Sequence, residues 1–113
     1  MNHLISRADL KRKIDARQVT VLEALPPKYF NDKHLPGALN LPHDQVAALA
    51  PTLLPNKAAE IVVYCANAAC QNSAMAGQAL RDLGYGNVRE YKEGKADWIE
   101  AGFAVETQAK AAE

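Results

Sequence analysis

The chain has 113 residues and sets 13 Lys+Arg against 13 Asp+Glu. That length suits one domain, and 49% apolar with 23% charged residues supplies a core without staples. Zero formal charge offers no field for a polyanion, which argues against nucleic-acid and anionic-membrane partners.

The two cysteines, Cys65 and Cys70, are too few for a disulfide scaffold and do not have zinc-ribbon spacing. Residues 1–7 lack an apolar run of signal-peptide length, and no stretch approaches the ~20 residues that span a bilayer. The expectation is a soluble protein of a reducing, cytoplasmic compartment. Its thiols then matter for reactivity more than for stability.

In chain order, Ser6 followed by Asp9 reads as a helix start, and a helix over 7–16 follows with Leu10 and Ile14 on one face. Residues 19–24 form a β-rich run expected to be a buried strand, ended by Pro26-Pro27. Residues 28–33 read as a turn or short helix. His34-Leu35-Pro36-Gly37-Ala38 is turn chemistry, and Leu39-Asn40-Leu41 a short strand. A short helix is expected from Asp44 to Leu49, with Pro51 and Pro55 breaking it.

Ile61-Val62-Val63-Tyr64 is the strongest strand signal, with Cys65 at its exit. Residues 66–72 are a small-residue loop. Met75, Ala76, Ala79, Leu80 and Leu83 recur at helical spacing over 73–83, and Gly84 stops that helix. Residues 87–91 form a further strand, and 95–101 a short helix carrying Trp98. The tail after Val105 reads as frayed helix. The alternation of strand and helix predicts a parallel sheet with helices on both faces. In such sheets, ligands sit beyond the carboxyl ends of the strands, which is where Cys65 stands.

A thiol there faces loop N–H groups and the positive end of the following helix. Both favour thiolate, so a lowered pKa and a nucleophilic sulfur are expected. Small side chains at Ala66, Ala68 and Ala69 leave room for the loop to curl around an anion. Asn72 or Ser73 suits the N-cap. The plainer alternative is an inert cysteine packed as a small hydrophobe. Cys70 is either an ordinary loop thiol or a resolving partner within bonding reach of Cys65. Elsewhere, His34 is expected to be a turn residue and Trp98 to pack in the core. Met75 and Gly77 are read as packing positions, Gly77 for close helix–sheet approach. Lys92 and Lys95 are read as a solvated face, with an anion-attracting role as the sharper alternative.

Several separated segments together resemble the rhodanese-like sulfurtransferase family. His34 to Pro42 is similar to its first signature, and Val62-Val63-Tyr64-Cys65 to the strand that delivers the active-site cysteine. Leu83 to Val88 resembles the turn after the active-site helix. Gly94 to Trp98 and Ala101 to Val105 resemble the closing signature. The resemblance runs from about Ile5 to Val105. It implies one domain over 1–113, with a core at 5–105 and a frayed tail at 106–113. The implied fold is an α/β three-layer sandwich around a mostly parallel five-stranded sheet.

The resemblance further implies that Cys65 takes a sulfane sulfur as a persulfide and passes it to a thiol or protein acceptor. The donor would be thiosulfate, polysulfide or a persulfide. The anion cradle would be Ala66, Asn67, Ala68, Ala69, Cys70, Gln71, Asn72 and Ser73, with Cys70 as accessory thiol and no metal or organic cofactor. Three features depart from the family. Ser73 follows Cys65 by eight positions, so the loop is two residues longer than usual. The family's loop arginine is absent, with Gln71 and Asn72 there instead; such an arginine would bind the anionic end of a donor. The first strand also ends Glu23-Ala24-Leu25 where the family has aspartate and arginine in a structural ion pair. The alternatives are a non-catalytic binding or redox-sensing module using Cys65 and Cys70, and, more distantly, a phosphatase or arsenate reductase.

Overall fold

The computed structural model describes residues 3–107. Ser6 opens the first helix, α1 (Arg7–Asp15), by accepting the Asp9 N–H at 3.1 Å. The chain then alternates: β1 (Thr20–Glu23), α2 (Pro27–Asp32), β2 (Leu39–Asn40), α3 (Val46–Leu53), β3 (Ile61–Tyr64), α4 (Asn72–Asp82), β4 (Val88–Tyr91) and α5 (Gly94–Glu100). The strands form one sheet in the order β2-β1-β3-β4, and every pairing is parallel. β3 is buried along its whole length. That is why it reads as an unbroken apolar run instead of an alternating one.

The two faces of the sheet carry separate cores. On one, Leu22, Val63 and Val88 meet Ala76 and Leu80 of α4, Val46 and Ala50 of α3, and Tyr85. On the other, Val21, Val62, Tyr64 and Tyr91 meet Leu10, Phe30, Leu35 and Trp98. Trp98 is in the core as expected, edge-on to Tyr91 and Phe103, with its Nε1–H donated to the Ala104 carbonyl at 2.9 Å. His34 is the expected turn residue. It stacks on Phe30, and Nδ1–H donates to the Phe30 carbonyl at 2.8 Å.

Four expectations change. The sheet has four strands among the described residues, not five. The N-terminal segment occupies the fifth place with a single bridge, Leu4 to Glu90. Ile5 N–H reaches the Glu90 carbonyl at 3.0 Å, but Ser6 already caps α1, so the pairing cannot extend. Secondly, α3 runs through Pro51. Proline removes one N–H and crowds the carbonyl one turn earlier, so a helix that runs through it needs support. The last turn is held elsewhere: Leu54 N–H donates to the Ala50 carbonyl at 2.7 Å, and the Tyr85 hydroxyl sits 3.2 and 2.6 Å from the carbonyls of Ala50 and Leu54.

Thirdly, residues 106 and 107 are not frayed helix. Glu106 pairs antiparallel with His34, and its carboxylate accepts the Gly37 N–H at 2.9 Å. Residues 108–113 of the expected tail lie outside the described residues. Fourthly, Met75 is exposed, on the outer side of α4. Gly77 does face the sheet, but a Cβ there would stand 3.5 Å from Val63 Cγ2 and from Arg81 Nη2, which is ordinary contact. A glycine is not required at that position. Gly77→Ala is expected to leave the fold intact and raise stability by up to about 1 kcal/mol through helix propensity, read by urea denaturation. A loss of stability would mean that the helix cannot yield the room.

Candidate active site around Cys65

β3 delivers Cys65 to the carboxyl edge of the sheet, and the residue is 1% exposed. The loop from Ala66 to Gln71 then turns into α4. Asn67 shapes it. Its side-chain oxygen accepts the Ala69 N–H at 3.0 Å and its carbonyl accepts the Cys70 N–H at 3.1 Å. Those two N–H groups of the expected cradle are therefore turned to Asn67. Ala68, Ala69 and Gln71 are exposed, Ala66, Cys70 and Asn72 half-buried, and Ser73 buried.

α5 fixes the loop from behind. Its first N–H groups, which have no partner inside a helix, go to the loop: Lys95 N–H to the Cys65 carbonyl at 2.8 Å and Ala96 N–H to the Ala66 carbonyl at 2.9 Å. Gly94 makes this approach feasible. Its φ is +78°, and a Cβ would lie 2.7 Å from the Cys65 carbonyl oxygen and 2.8 Å from Asn67 N. Backbone atoms on that side cannot move away as a side-chain tip can.

Lys95 reaches in the other direction. Its Nζ lies 3.1 and 3.0 Å from the carboxylate oxygens of the fully buried Glu23, and donates to the carbonyls of Tyr29 at 3.0 Å and Lys33 at 2.6 Å. The Tyr64 hydroxyl also donates to Glu23, at 2.6 Å, and accepts the Leu35 N–H. Burial, then the Glu23 charge, pushes the Tyr64 pKa up, so the phenol stays protonated and keeps donating. Lys95 is thus neither a solvated face nor free to attract a donor. It is the cation of a buried ion pair that joins α5 to β1. Lys92 is exposed.

The start of α4 also differs from expectation. The helix begins at Asn72 after Gln71, which makes no capping bond. Asn72 donates instead to the Ala24 carbonyl at 3.4 Å, tying the loop to β1. Ser73 points at the thiol: Cys65 Sγ donates to Ser73 Oγ at 3.6 Å, and Ser73 Oγ donates to Glu90 Oε2 at 2.6 Å. Glu90 and the Gly94 contact were not among the residues singled out from sequence. A signal for Glu90 exists, since an acidic side chain two positions from Val88 shares that residue's inward face.

The Cys65 thiol is pushed up, not down, chiefly by burial and then by the neighbouring Cys70 thiol. A hydrogen bond from the Ser73 hydroxyl to the sulfur, and after it one from the Ser73 N–H, works the other way. The sizes explain the order. A helix terminus contributes about 0.3–1 kcal/mol, less than one pKa unit, whereas burial shifts a pKa by up to about 3–5 units. With two loop N–H groups committed to Asn67, desolvation wins. Both cysteines are free thiols.

The profile of the rhodanese-like domain matches residues 6–101. The chain belongs to the rhodanese-like family. It is 32% identical over 102 residues to the HTH-type transcriptional regulator Rv0324 of Mycobacterium tuberculosis, covering 90% of this chain and 44% of that protein. It is 36% identical over 62 residues to the thiosulfate sulfurtransferase PspE of Escherichia coli, covering 55% of this chain and 58% of that protein. The rhodanese-like chain thus spans about half the length of these curated relatives. The solution structure of the rhodanese-like domain of the Anabaena Alr3790 protein superposes with a TM-score of 0.83 at 26% identity, over 99% of this chain and 85% of that one. Among the described residues no helix is long and apolar enough to cross a membrane.

Two outcomes are expected from this geometry. Gly94→Ala should destabilise the domain by about 2–4 kcal/mol in urea unfolding, combining positive-φ strain with overpacking; an unchanged midpoint would remove its assigned role. A raised native pKa favours the folded thiol at neutral pH, and that stability falls as pH rises through the folded value. Iodoacetamide labelling of Cys65 in a Cys70→Ala background should therefore reach its half-maximal rate at higher pH in the native protein than in the urea-unfolded chain. A native midpoint at or below the unfolded one would contradict the burial argument.

Proposed function

We propose that the chain is a sulfur carrier or sulfurtransferase that holds a sulfane sulfur on Cys65. The supporting observation is the placement of Cys65: a single buried thiol at the carboxyl end of the central strand, under a loop held by α5 and α4, in a chain of the rhodanese-like family. The 36% identity over 62 residues to a thiosulfate sulfurtransferase supports the same reaction class.

In the proposed cycle the Cys65 sulfur, as thiolate, attacks the outer sulfur of thiosulfate, polysulfide or a persulfide. The donor's S–S bond breaks and its electron pair leaves with the remainder of the donor, which is sulfite when the donor is thiosulfate. Cys65 then carries a persulfide. A thiol acceptor attacks the outer sulfur as thiolate, and the Cys65 thiolate leaves. The N–H groups of Ala66, Asn67, Ala68 and Gln71 are the candidates for holding the persulfide anion, beside Asn72 and Ser73 at the start of α4. No loop arginine stands ready for a dianion, so polysulfide or a low-charge persulfide suits the site better than thiosulfate. A reducing compartment such as the cytoplasm suits a cycle that starts from free thiols.

Cys70 favours a second reading. Its thiol faces Cys65 closely enough to raise that pKa. A Cys70 thiolate attacking the inner sulfur of a Cys65 persulfide would form a Cys65–Cys70 disulfide and release hydrosulfide. That chemistry suits a redox-responsive module, and a relative described as a transcriptional regulator is consistent with it.

Mass spectrometry after exposure to polysulfide or glutathione persulfide separates the two. An adduct of one sulfur atom, retained in Cys70→Ala and lost in Cys65→Ala, is expected. No adduct with any donor, or one that survives Cys65→Ala, would overturn the carrier reading. Prompt conversion to the Cys65–Cys70 disulfide would favour the second.

A further inference from the structure

The polar contacts of the Cys65 sulfur lead, through Ser73, to a carboxylate on β4. Ser73 lies in the first turn of α4, and Glu90 lies on β4 with its neighbour Val88 in the core. A serine hydroxyl has one proton and two lone pairs. At 2.6 Å from Glu90 Oε2, that proton is committed to the carboxylate in a short charge-assisted bond. Lone pairs alone then remain for the Cys65 sulfur at 3.6 Å. They accept from S–H and repel S⁻.

We propose that Glu90, acting through Ser73, is a positioning residue that holds the serine hydroxyl as an acceptor and so keeps the unloaded Cys65 as a thiol. Donated to the sulfur, the Ser73 hydroxyl lowers the Cys65 pKa; its single proton would have to leave Glu90 to do so. The Glu90 contact denies it that orientation. Oxidants attack thiolates, so a carrier held as a thiol at rest is protected until a sulfur donor occupies the site. This rests on the reading of Cys65 as the nucleophile.

Other groups face this line from the surrounding elements. Cys70 approaches the sulfur from the loop. Arg81, on the Ser73 side of α4, lies against β4 with Nη2 donating to the Val88 carbonyl at 3.2 Å. His3 stands on the N-terminal segment, its carbonyl accepting the Glu90 N–H at 2.7 Å. None of these stands between Ser73 Oγ and either of its two partners.

The test is the pH profile of Cys65 alkylation by iodoacetamide in a Cys70→Ala background, with Glu90→Gln, Ser73→Ala and the pair, and far-UV circular dichroism on each. Glu90→Gln is expected to lower the half-maximal pH by about one unit, giving about tenfold faster labelling at neutral pH. In the Ser73→Ala background the same change should alter the rate less than about twofold, because the effect passes through the hydroxyl. An unmoved or higher midpoint in Glu90→Gln would overturn the proposal. So would an equal shift in the Ser73→Ala background, which would mean a charge acting at a distance. Glu90→Ala supplies the same comparison if the glutamine variant does not fold. Alkylation needs no sulfur donor, so a failure to load sulfur leaves this outcome readable by itself.

Discussion

The buried pair between Glu23 and Lys95 is the constraint on which the rest of the site depends. Glu23 ends β1 with no exposed surface, and Lys95 lies in the first turn of α5. A lone buried carboxylate would be strongly unfavourable, and breaking such a pair typically costs about 3–5 kcal/mol. The pair is tolerable because the remaining polar capacity is filled: Tyr64 donates to the carboxylate, and the carbonyls of Tyr29 and Lys33 take the other ammonium protons. The ends of β1, β3 and α2 are thereby joined to one end of α5. That same end of α5 holds the carbonyls of Cys65 and Ala66 by its first N–H groups. The position of the Cys65 loop follows from charge satisfaction on the far side of the helix.

This arrangement separates charge from chemistry. The chain's charges balance, and Lys95, whose N–H holds the Cys65 carbonyl, spends its ammonium inside the fold. The sulfur itself touches neutral groups, a thiol and a serine, and the nearest carboxylate in that line, Glu90, acts only through the serine. Burial is therefore the largest influence on its ionisation, and the helix terminus opposes it without prevailing. Such a site is slow toward generic electrophiles and depends on a donor bringing its own reactivity.

Much of the fold was readable because β3 is buried along its whole length and β1 carries buried Val21 and Leu22 at its centre, while α1 and α4 show helical periodicity. Pro51 misled because local propensity was overridden by Tyr85, from a distant segment, holding the last turn of α3. The fifth strand failed for a local reason, the cap at Ser6. At the site, Cys65 was readable from its place after the strongest strand. The direction of its pKa was not, since desolvation is a property of the assembled core and not of the loop sequence. Lys95 was misassigned because a charged residue beside a turn normally faces water. Its partner lies 72 positions away. In sequence Ser73 reads as a cap, because its reach to Glu90 depends on how α4 lies on β4.

Delivery of sulfur is the measurement that bears most directly on the central claim. The protein is loaded with radiolabelled sulfane sulfur, freed of donor, and mixed with glutathione in a single turnover. The label is expected to move to glutathione in proportion to the Cys65 present, and Cys65→Ala is expected to carry none. Label that stays on the protein, or that moves equally from Cys65→Ala, would contradict it.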